Sequence, residues 1–191
     1  MPSIKGTKTE KNLLASFAGE SQARNRYTYF AGIADKEGYP PIADIFTETA
    51  DQERVHAKSM FKILEGGMVE ITTTCPAGRL GTTAENLDAA AAGEHEEHTV
   101  LYPGFADTAK AEGFPEVAVL YRAVSKAEAF HERRFRALRD QLATGTLYTR
   151  SEAAQWKCTK CGYIQEGKEA PSACTACKHP QQYFVALDRA W

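Results

Sequence analysis

Long apolar runs are missing from this 191-residue chain, and no stretch approaches the roughly 20 residues that a membrane-spanning helix requires, so no membrane partner is expected. An excess of either charge is missing too. The 23 Lys and Arg residues nearly balance 25 Asp and Glu residues, for a formal net charge of -2, and no basic block stands out. That composition excludes the electrostatic footprint of a nucleic-acid binder. The first twelve residues are polar and lack the apolar centre of a secretory signal, which makes the cytoplasm the expected location. Cysteine is scarce: of the five, four fall between positions 158 and 177, while Cys75 stands alone in a loop-like stretch and reads as an inert or mildly oxidisable thiol.

What the chain does have is a pattern written twice. Glu53 to His56 and Glu128 to His131 are both Glu-x-x-His, 75 residues apart, and each follows a lone glutamate, Glu20 or Glu94, by nearly the same interval. The flanks agree: Ala18-Gly19-Glu20 matches Ala92-Gly93-Glu94, Tyr27 matches Tyr102, and Gly38-Tyr39-Pro40 matches Gly113-Phe114-Pro115. One inserted residue moves the offset from 74 to 75 between the glutamates and the tyrosines. The ligand-type residues therefore belong to an internal duplication.

Apolar residues at helical spacing predict four amphipathic helices. The first runs from the Thr9 region to Gly38. The second begins at Pro40-Pro41 and ends at Gly66-Gly67. The third opens near Thr83 with Leu87, Ala91, Glu94, Glu97, His98, Leu101 and Phe105 on its stripe, and Pro103 should bend or break it before Gly113. The fourth follows Pro115 and carries Val117, Leu120, Val124, Glu128, His131, Phe135 and Leu138. Short turns at Gly38 and Gly113 make two antiparallel hairpins. The linker between them, residues 66 to 83, is long enough to cross a whole bundle, which is the ferritin-like connection. Composition changes beyond Thr144-Gly145, so a domain boundary is placed near residue 146.

Glu20, Glu53, Glu94 and Glu128 all fall on the apolar stripes. Four carboxylates aimed into a bundle core would each cost several kcal/mol or be forced to protonate, about the scale of desolvating an unpaired charge. Two cations supply the compensation. Carboxylate and imidazole suit iron or manganese, and the Glu-x-x-His spacing sets both groups on one face; this ligand set is that of the ferritin-like di-iron and di-manganese proteins as a class. Glu97, one turn after Glu94, breaks the duplication, since its counterpart is Ala23, and is expected as a fifth carboxylate ligand that makes the two metals inequivalent. Tyr27 and Tyr102, about two turns beyond Glu20 and Glu94, are placed to bond ligand carboxylates or to pack in the core. Cys158, Cys161, Cys174 and Cys177 form two Cys-x-x-Cys pairs that bind one tetrahedral ion, zinc as a structural ribbon or iron as a one-electron centre.

These residues resemble the rubrerythrin family over essentially the whole chain. The likeness is carried by residues 18 to 27 (Ala-Gly-Glu-Ser-Gln-Ala-Arg-Asn-Arg-Tyr), by Glu53-Arg54-Val55-His56, Glu94-His95-Glu96-Glu97 and Glu128-Ala129-Phe130-His131, and by Cys158-Thr159-Lys160-Cys161-Gly162-Tyr163. The resemblance implies a mainly α protein, with a ferritin-like four-helix bundle at 1–146 and a small β-rich, rubredoxin-like metal domain at 147–191. It also implies a di-iron centre held by Glu20, Glu53, His56, Glu94, Glu97, Glu128 and His131, with Glu53 and Glu128 bridging, and one iron on the four cysteines. One departure is Cys174-Thr175-Ala176-Cys177-Lys178, where rubredoxin-type sites usually show proline after the third cysteine and glycine after the fourth. The implied activity is reduction of hydrogen peroxide to water, with electrons entering through the cysteine domain from an NAD(P)H-driven reductase chain or a rubredoxin, and with Glu97 and His56 making one iron mobile. A homodimer or dimer-based assembly is expected. An iron-oxidising, ferritin-like protein and a pure electron carrier are the rival readings.

Overall fold

The structure is a computed structural model that describes residues 2–188; the last three positions of the 147–191 segment lie outside the described residues. Helices α1 (Lys8–Lys36) and α2 (Pro40–Phe61) form one hairpin. Helix α3 (Thr83–Glu96), a π turn (Glu97–Leu101) and α4 (Tyr102–Ala111) form the third long helix, and α5 (Pro115–Thr144) packs back along it. Among the described residues no helix is long and apolar enough to cross a membrane.

The duplication is visible in the backbone. Gly38 and Gly113 share φ +84°, and each ends its helix in a Schellman motif. Tyr39 N–H donates to the Ala34 carbonyl and Phe114 N–H to that of Ala109, both at 2.8 Å, while Gly38 and Gly113 donate to Asp35 and Lys110. Proline then opens the next helix, where its missing N–H costs nothing. Helix α3 starts from a capping box in which Thr82 and Glu85 satisfy each other's backbone N–H groups.

Helix α2 ends five residues before the expected Gly66. Ile63 and Leu64 donate to carbonyls three residues back, tightening the chain so that both side chains pack on the core, and Glu65 is drawn across to accept from Ile4 N–H at 2.7 Å. The third helix differs more. Pro103 lies in the first turn of α4, and the break comes before it as a π turn in which Tyr102 N–H reaches the Glu97 carbonyl. That turn is where the duplication has its extra residue, so one insertion has been absorbed as one wide helical turn. Pro103 has no N–H to offer the carbonyl five residues back, that of His98, and Ser125 Oγ of α5 donates to it instead at 3.0 Å.

Two apolar clusters sandwich a polar layer. Tyr27, Phe30, Phe46, Leu87 and Phe135 fill the end nearest the Gly38 turn; Leu13, Met60, Tyr102, Phe114 and Tyr121 fill the other. Beyond α5 the chain makes an antiparallel sheet in the order β2-β1-β3, from Thr149–Cys158, Ile164–Glu169 and Phe184–Ala186, around buried Trp156 and Phe184. This unit lies against the Gly38 end of the bundle, where Thr159 and residues 184–187 face Asp44, Ile45 and Glu48 of α2.

Removing the Ser125 hydroxyl should leave the His98 carbonyl without a partner beside the π turn. Ser125→Ala is expected to lower stability by about 1 kcal/mol in denaturant unfolding, with helical content unchanged. An unaltered midpoint would show that water satisfies that carbonyl.

Candidate metal centres

Glutamates from all four long helices meet in the polar layer between the apolar clusters. Glu20, Glu53, Glu94, Glu128 and His131 are each at most 2% exposed. Their ligand atoms form two groups, Glu20, Glu53, His56 and Glu128 in one and Glu53, Glu94, Glu128 and His131 in the other. Glu53 and Glu128 belong to both. Glu53 turns Oε2 to His56 Nδ1 at 2.9 Å and Oε1 to His131 Nδ1 at 3.1 Å; Glu128 turns Oε1 to His56 at 3.0 Å and Oε2 to His131 at 2.8 Å. One oxygen to each side is the arrangement of a carboxylate bridge between two ions.

Close as these atoms are, several make no hydrogen bond. Glu20 Oε2, Glu53 Oε1, Glu94 Oε2, both Glu128 oxygens and His131 Nδ1 are buried and unsatisfied. A buried unpartnered carboxylate oxygen is costly, and two cations would satisfy every one of these atoms. The donor set is carboxylate oxygen and imidazole nitrogen, which fits iron.

The second oxygens are held from outside. Tyr27 OH donates to Glu94 Oε1 and Tyr102 OH to Glu20 Oε1, so each half of the duplication supplies the tyrosine that orients the other half's glutamate. His131 Nε2 lies 2.9 Å from Gln52 Oε1, which accepts its N–H and leaves Nδ1 as the free ligand atom. Sequence reasoning missed Gln52, and its equivalent in the second half is Ala127, so the repeat carries no signal for it. Among the described residues His56 has no such tie, and it is 14% exposed, against 2% for His131.

Glu97 stands apart. It opens the π turn, partly buried, and its carboxylate belongs to neither group of ligand atoms. It lines a cavity of about 480 Å³ together with Tyr102, Arg26, Gln22 and residues 73–76 of the crossover, including Cys75. Gln22 Nε2 holds that crossover by donating to the Pro76 carbonyl at 2.7 Å. His98, expected on the inner stripe, turns outward to Glu132 because the π turn shifts the helical phase there.

In the C-terminal unit Cys158 Sγ lies 3.7 Å from Cys177 Sγ and Cys161 Sγ 3.6 Å from Cys174 Sγ, the separations of a tetrahedral site. Against its burial, backbone N–H groups of Cys177 and Ala176 bring the Cys174 thiol down to about 7, whereas, despite the Tyr163 N–H beside it, Cys161 is pushed up to about 12 by neighbouring cysteine sulfurs. Gly162, after the second cysteine, has φ +78°. Lys178, after the fourth, adopts φ +64°, so the loop keeps the left-handed conformation although glycine is absent.

A family model described as Rubrerythrin matches residues 11–139, and one described as Rubrerythrin, rubredoxin-like domain, matches residues 156–185. The chain belongs to the rubrerythrin family. A rubrerythrin of Porphyromonas gingivalis is 59% identical over 185 residues, 97% of this chain and 92% of that protein. One of Nitratidesulfovibrio vulgaris is 51% identical over 191 residues, the whole of both chains. A partially reduced nigerythrin superposes with TM-score 0.64 at 30% identity, covering 96% of this chain and 90% of that one. As a rubrerythrin, the protein has a di-iron carboxylate–histidine centre and a rubredoxin-like four-cysteine iron site.

Stripped of metal, the di-iron layer makes folding depend on pH. Burial and then the Glu53 charge hold Glu20 well above the usual carboxylate range and push Glu94 up to about 8. Against the lowering effect of its own burial, His131 is pushed up to about 12 by Glu128, Glu53 and Glu94. Each group keeps a proton in the fold that the unfolded chain releases, so its contribution is lost as pH rises from the unfolded value through the folded one. Glu94 acts between 4.5 and about 8, and His131 from 6.5 upward, in the same direction. Metal-free protein should therefore melt at progressively lower temperature from about pH 5 to about pH 8.5, followed by helical circular dichroism, while iron-loaded protein changes far less. A melting temperature that rises with pH in the metal-free protein would contradict the buried-carboxylate account.

The Lys178 backbone offers a second measurement. A side chain in the left-handed region is strained, so Lys178→Gly should stabilise the iron-loaded C-terminal unit by up to about 1 kcal/mol, less the entropy that glycine adds to the unfolded chain. The midpoint of guanidinium bleaching of the thiolate–iron bands is the readout.

Proposed function

We propose that the protein is a non-haem di-iron peroxidase that reduces hydrogen peroxide to water, drawing electrons through its cysteine-bound iron from an NAD(P)H-linked reductase or a rubredoxin. The observation that carries this reading is the placement of Glu97, a carboxylate outside both ligand groups that faces a cavity beside them. When bound, the iron pair supplies two electrons together to the O–O bond and the four-cysteine iron restores them singly, so that peroxide with two electrons and two protons gives two waters.

The chain's own residues set the conditions. Glu53 and Glu128 fix the spacing of the two ligand groups, and Tyr27 and Tyr102 stop Glu94 and Glu20 from rotating. On this reading Glu97 and His56 are alternative ligands on the looser side of the centre, hard carboxylate favouring the ferric state and imidazole the ferrous. Residues 73–76 of the crossover form one wall of the cavity, whose volume of about 480 Å³ suits a small substrate.

Described residues of the C-terminal unit share a pocket with Pro41, Asp44, Ile45, Glu48 and Leu138 at the Gly38 end of their own bundle, a lining that does not include Glu53 or His131. This supports a homodimer, or an assembly of dimers, in which the cysteine-bound iron of one subunit serves the di-iron centre of another. A cytoplasmic location goes with an NAD(P)H-linked donor.

The parent protein, supplied with NADH, a reductase and a rubredoxin, should consume peroxide continuously. Replacing Cys161 and Cys174 by serine should abolish that steady-state turnover and the visible thiolate–iron bands, while the chemically reduced di-iron centre still reacts once with peroxide. Full turnover by the double variant would remove the cysteine domain from the electron path. Failure of the reduced parent to react with peroxide, with iron taken up under oxygen instead, would favour the iron-oxidising reading.

A further inference from the structure

His95, His98 and Glu132 form a second cluster of ligand-type side chains on the outer side of the seam between α3 and α5. His95 Nδ1 lies 3.1 Å from Glu132 Oε2, and His98 Nε2 lies 2.5 Å from the same oxygen. One ligand atom from each of the three falls within 4.8 Å of the others. The imidazole rings stand edge to face, 5.4 Å between centroids at 89°, so their ring nitrogens approach Glu132 from different directions. Arg136 Nε donates to Glu132 Oε1 at 2.6 Å, which fixes the carboxylate with both its oxygens 3.1 Å from His95 Nδ1 and Oε2 against His98.

From this geometry we propose that His95, His98 and Glu132 are a third metal site, for a divalent transition ion of the zinc, cobalt or ferrous class. Two imidazoles and one carboxylate on one side of an ion, with the remaining positions open to water, suit these metals. Ligand atoms about 3.3 Å apart are what bonds of about 2.0–2.1 Å in a tetrahedral shell produce; the His95–Glu132 separation of 3.1 Å is near that, and His98, now hydrogen-bonded to Glu132 at 2.5 Å, would draw back to admit the ion. Arg136 plays the part of an outer hydrogen bond that orients a metal-binding carboxylate.

A hydrogen-bonded clasp between helices is the competing role, and it leaves His95 unexplained. His98 and Arg136 already satisfy Glu132, whereas the His95 side chain is 55% exposed and gains little from an extra contact with it in water. As a ligand, His95 completes the set. The site also backs onto the di-iron centre: His95 follows Glu94 and Glu132 follows His131, so the same two helices present one set of ligands inward and the other outward. Because His98 lies within the π turn, an ion here would clamp that turn to α5.

The test is Co(II) titration of protein with its iron sites loaded, followed by visible spectroscopy, with bound cobalt and retained iron counted after gel filtration. The expected result is one Co(II) per chain beyond the unchanged iron, with affinity at least about tenfold weaker in His95→Gln and in His98→Gln, as loss of a ligand requires. Weaker binding at pH 5.5 than at pH 7.5, from proton competition for the imidazoles, should accompany it. Absence of additional cobalt, cobalt bound only in exchange for released iron, or equal affinity in the parent and both variants would each overturn the proposal. Glu132→Gln, which keeps the shape and removes the charge, should also lose the ion; retention there with loss in the histidine variants would overturn the three-ligand assignment.

Discussion

Like charges crowded into a dry core are the constraint on which the rest of this structure depends. Four fully buried glutamates meet between two apolar clusters, with Glu97 close by. Without cations Glu20, Glu94 and Glu97 resist ionising, held up first by burial and then by neighbouring carboxylate charge, while Glu53, hydrogen-bonded to His131 and His56 against its burial, is held low. The bundle tolerates them because each long helix contributes to one layer only, leaving ordinary aromatic and aliphatic packing on either side. Metal binding and folding are then one linked equilibrium, in which ligand atoms lacking hydrogen bonds are free energy held in reserve for the ions.

Duplication explains the symmetry of that layer, and one insertion explains where it fails. The two Schellman turns at Gly38 and Gly113 repeat each other in φ and in hydrogen bonds, and Tyr27 and Tyr102 cross over to each other's glutamates. The extra residue between Glu94 and Tyr102 has no room in a regular α-helix whose ends are both packed. A π turn takes it up, keeping Tyr102 in register with Glu20 while bringing Glu97 to the cavity and His98 to the outer surface. Pro103 then leaves one carbonyl open, and Ser125 covers it. A single insertion thus alters the inner face, the outer face and the cavity wall together.

The parts of the fold legible in the sequence are those written by periodicity and by residue type at fixed spacing. Apolar stripes, glycine stops and proline starts place the helices, and carboxylates falling on those stripes mark the ligands, because only strong compensation permits them there. The places where the reading fell short share a cause: they depend on contacts between elements. The early end of α2 follows from Glu65 reaching Ile4, and the outward turn of His98 from a phase shift that stripe-counting across Pro103 cannot register. Gln52 is visible only once α2 and α5 are side by side. Lys178 shows the converse: a residue that departs from the glycine pattern keeps the loop's conformation, since the N–H groups donated to sulfur need that backbone whatever side chain stands there.

Asymmetry between the two ligand groups is the feature that turns a symmetric metal layer into a directional one. His131 is buried and tied through Nε2 to Gln52, so its group is rigid. His56 reaches the surface without such a tie, and its group is the one completed by Glu20, whose orienting Tyr102 also lines the cavity beside Glu97. On the function proposed above, the freedom to change ligands would be confined to one side, where a carboxylate and an imidazole are both available. The shared pair Glu53 and Glu128 keeps the two sides at one spacing. A centre that moved on both sides would lose that spacing, and one rigid on both would lack an open position; on the function proposed above, the inserted residue would let one half move while the other holds.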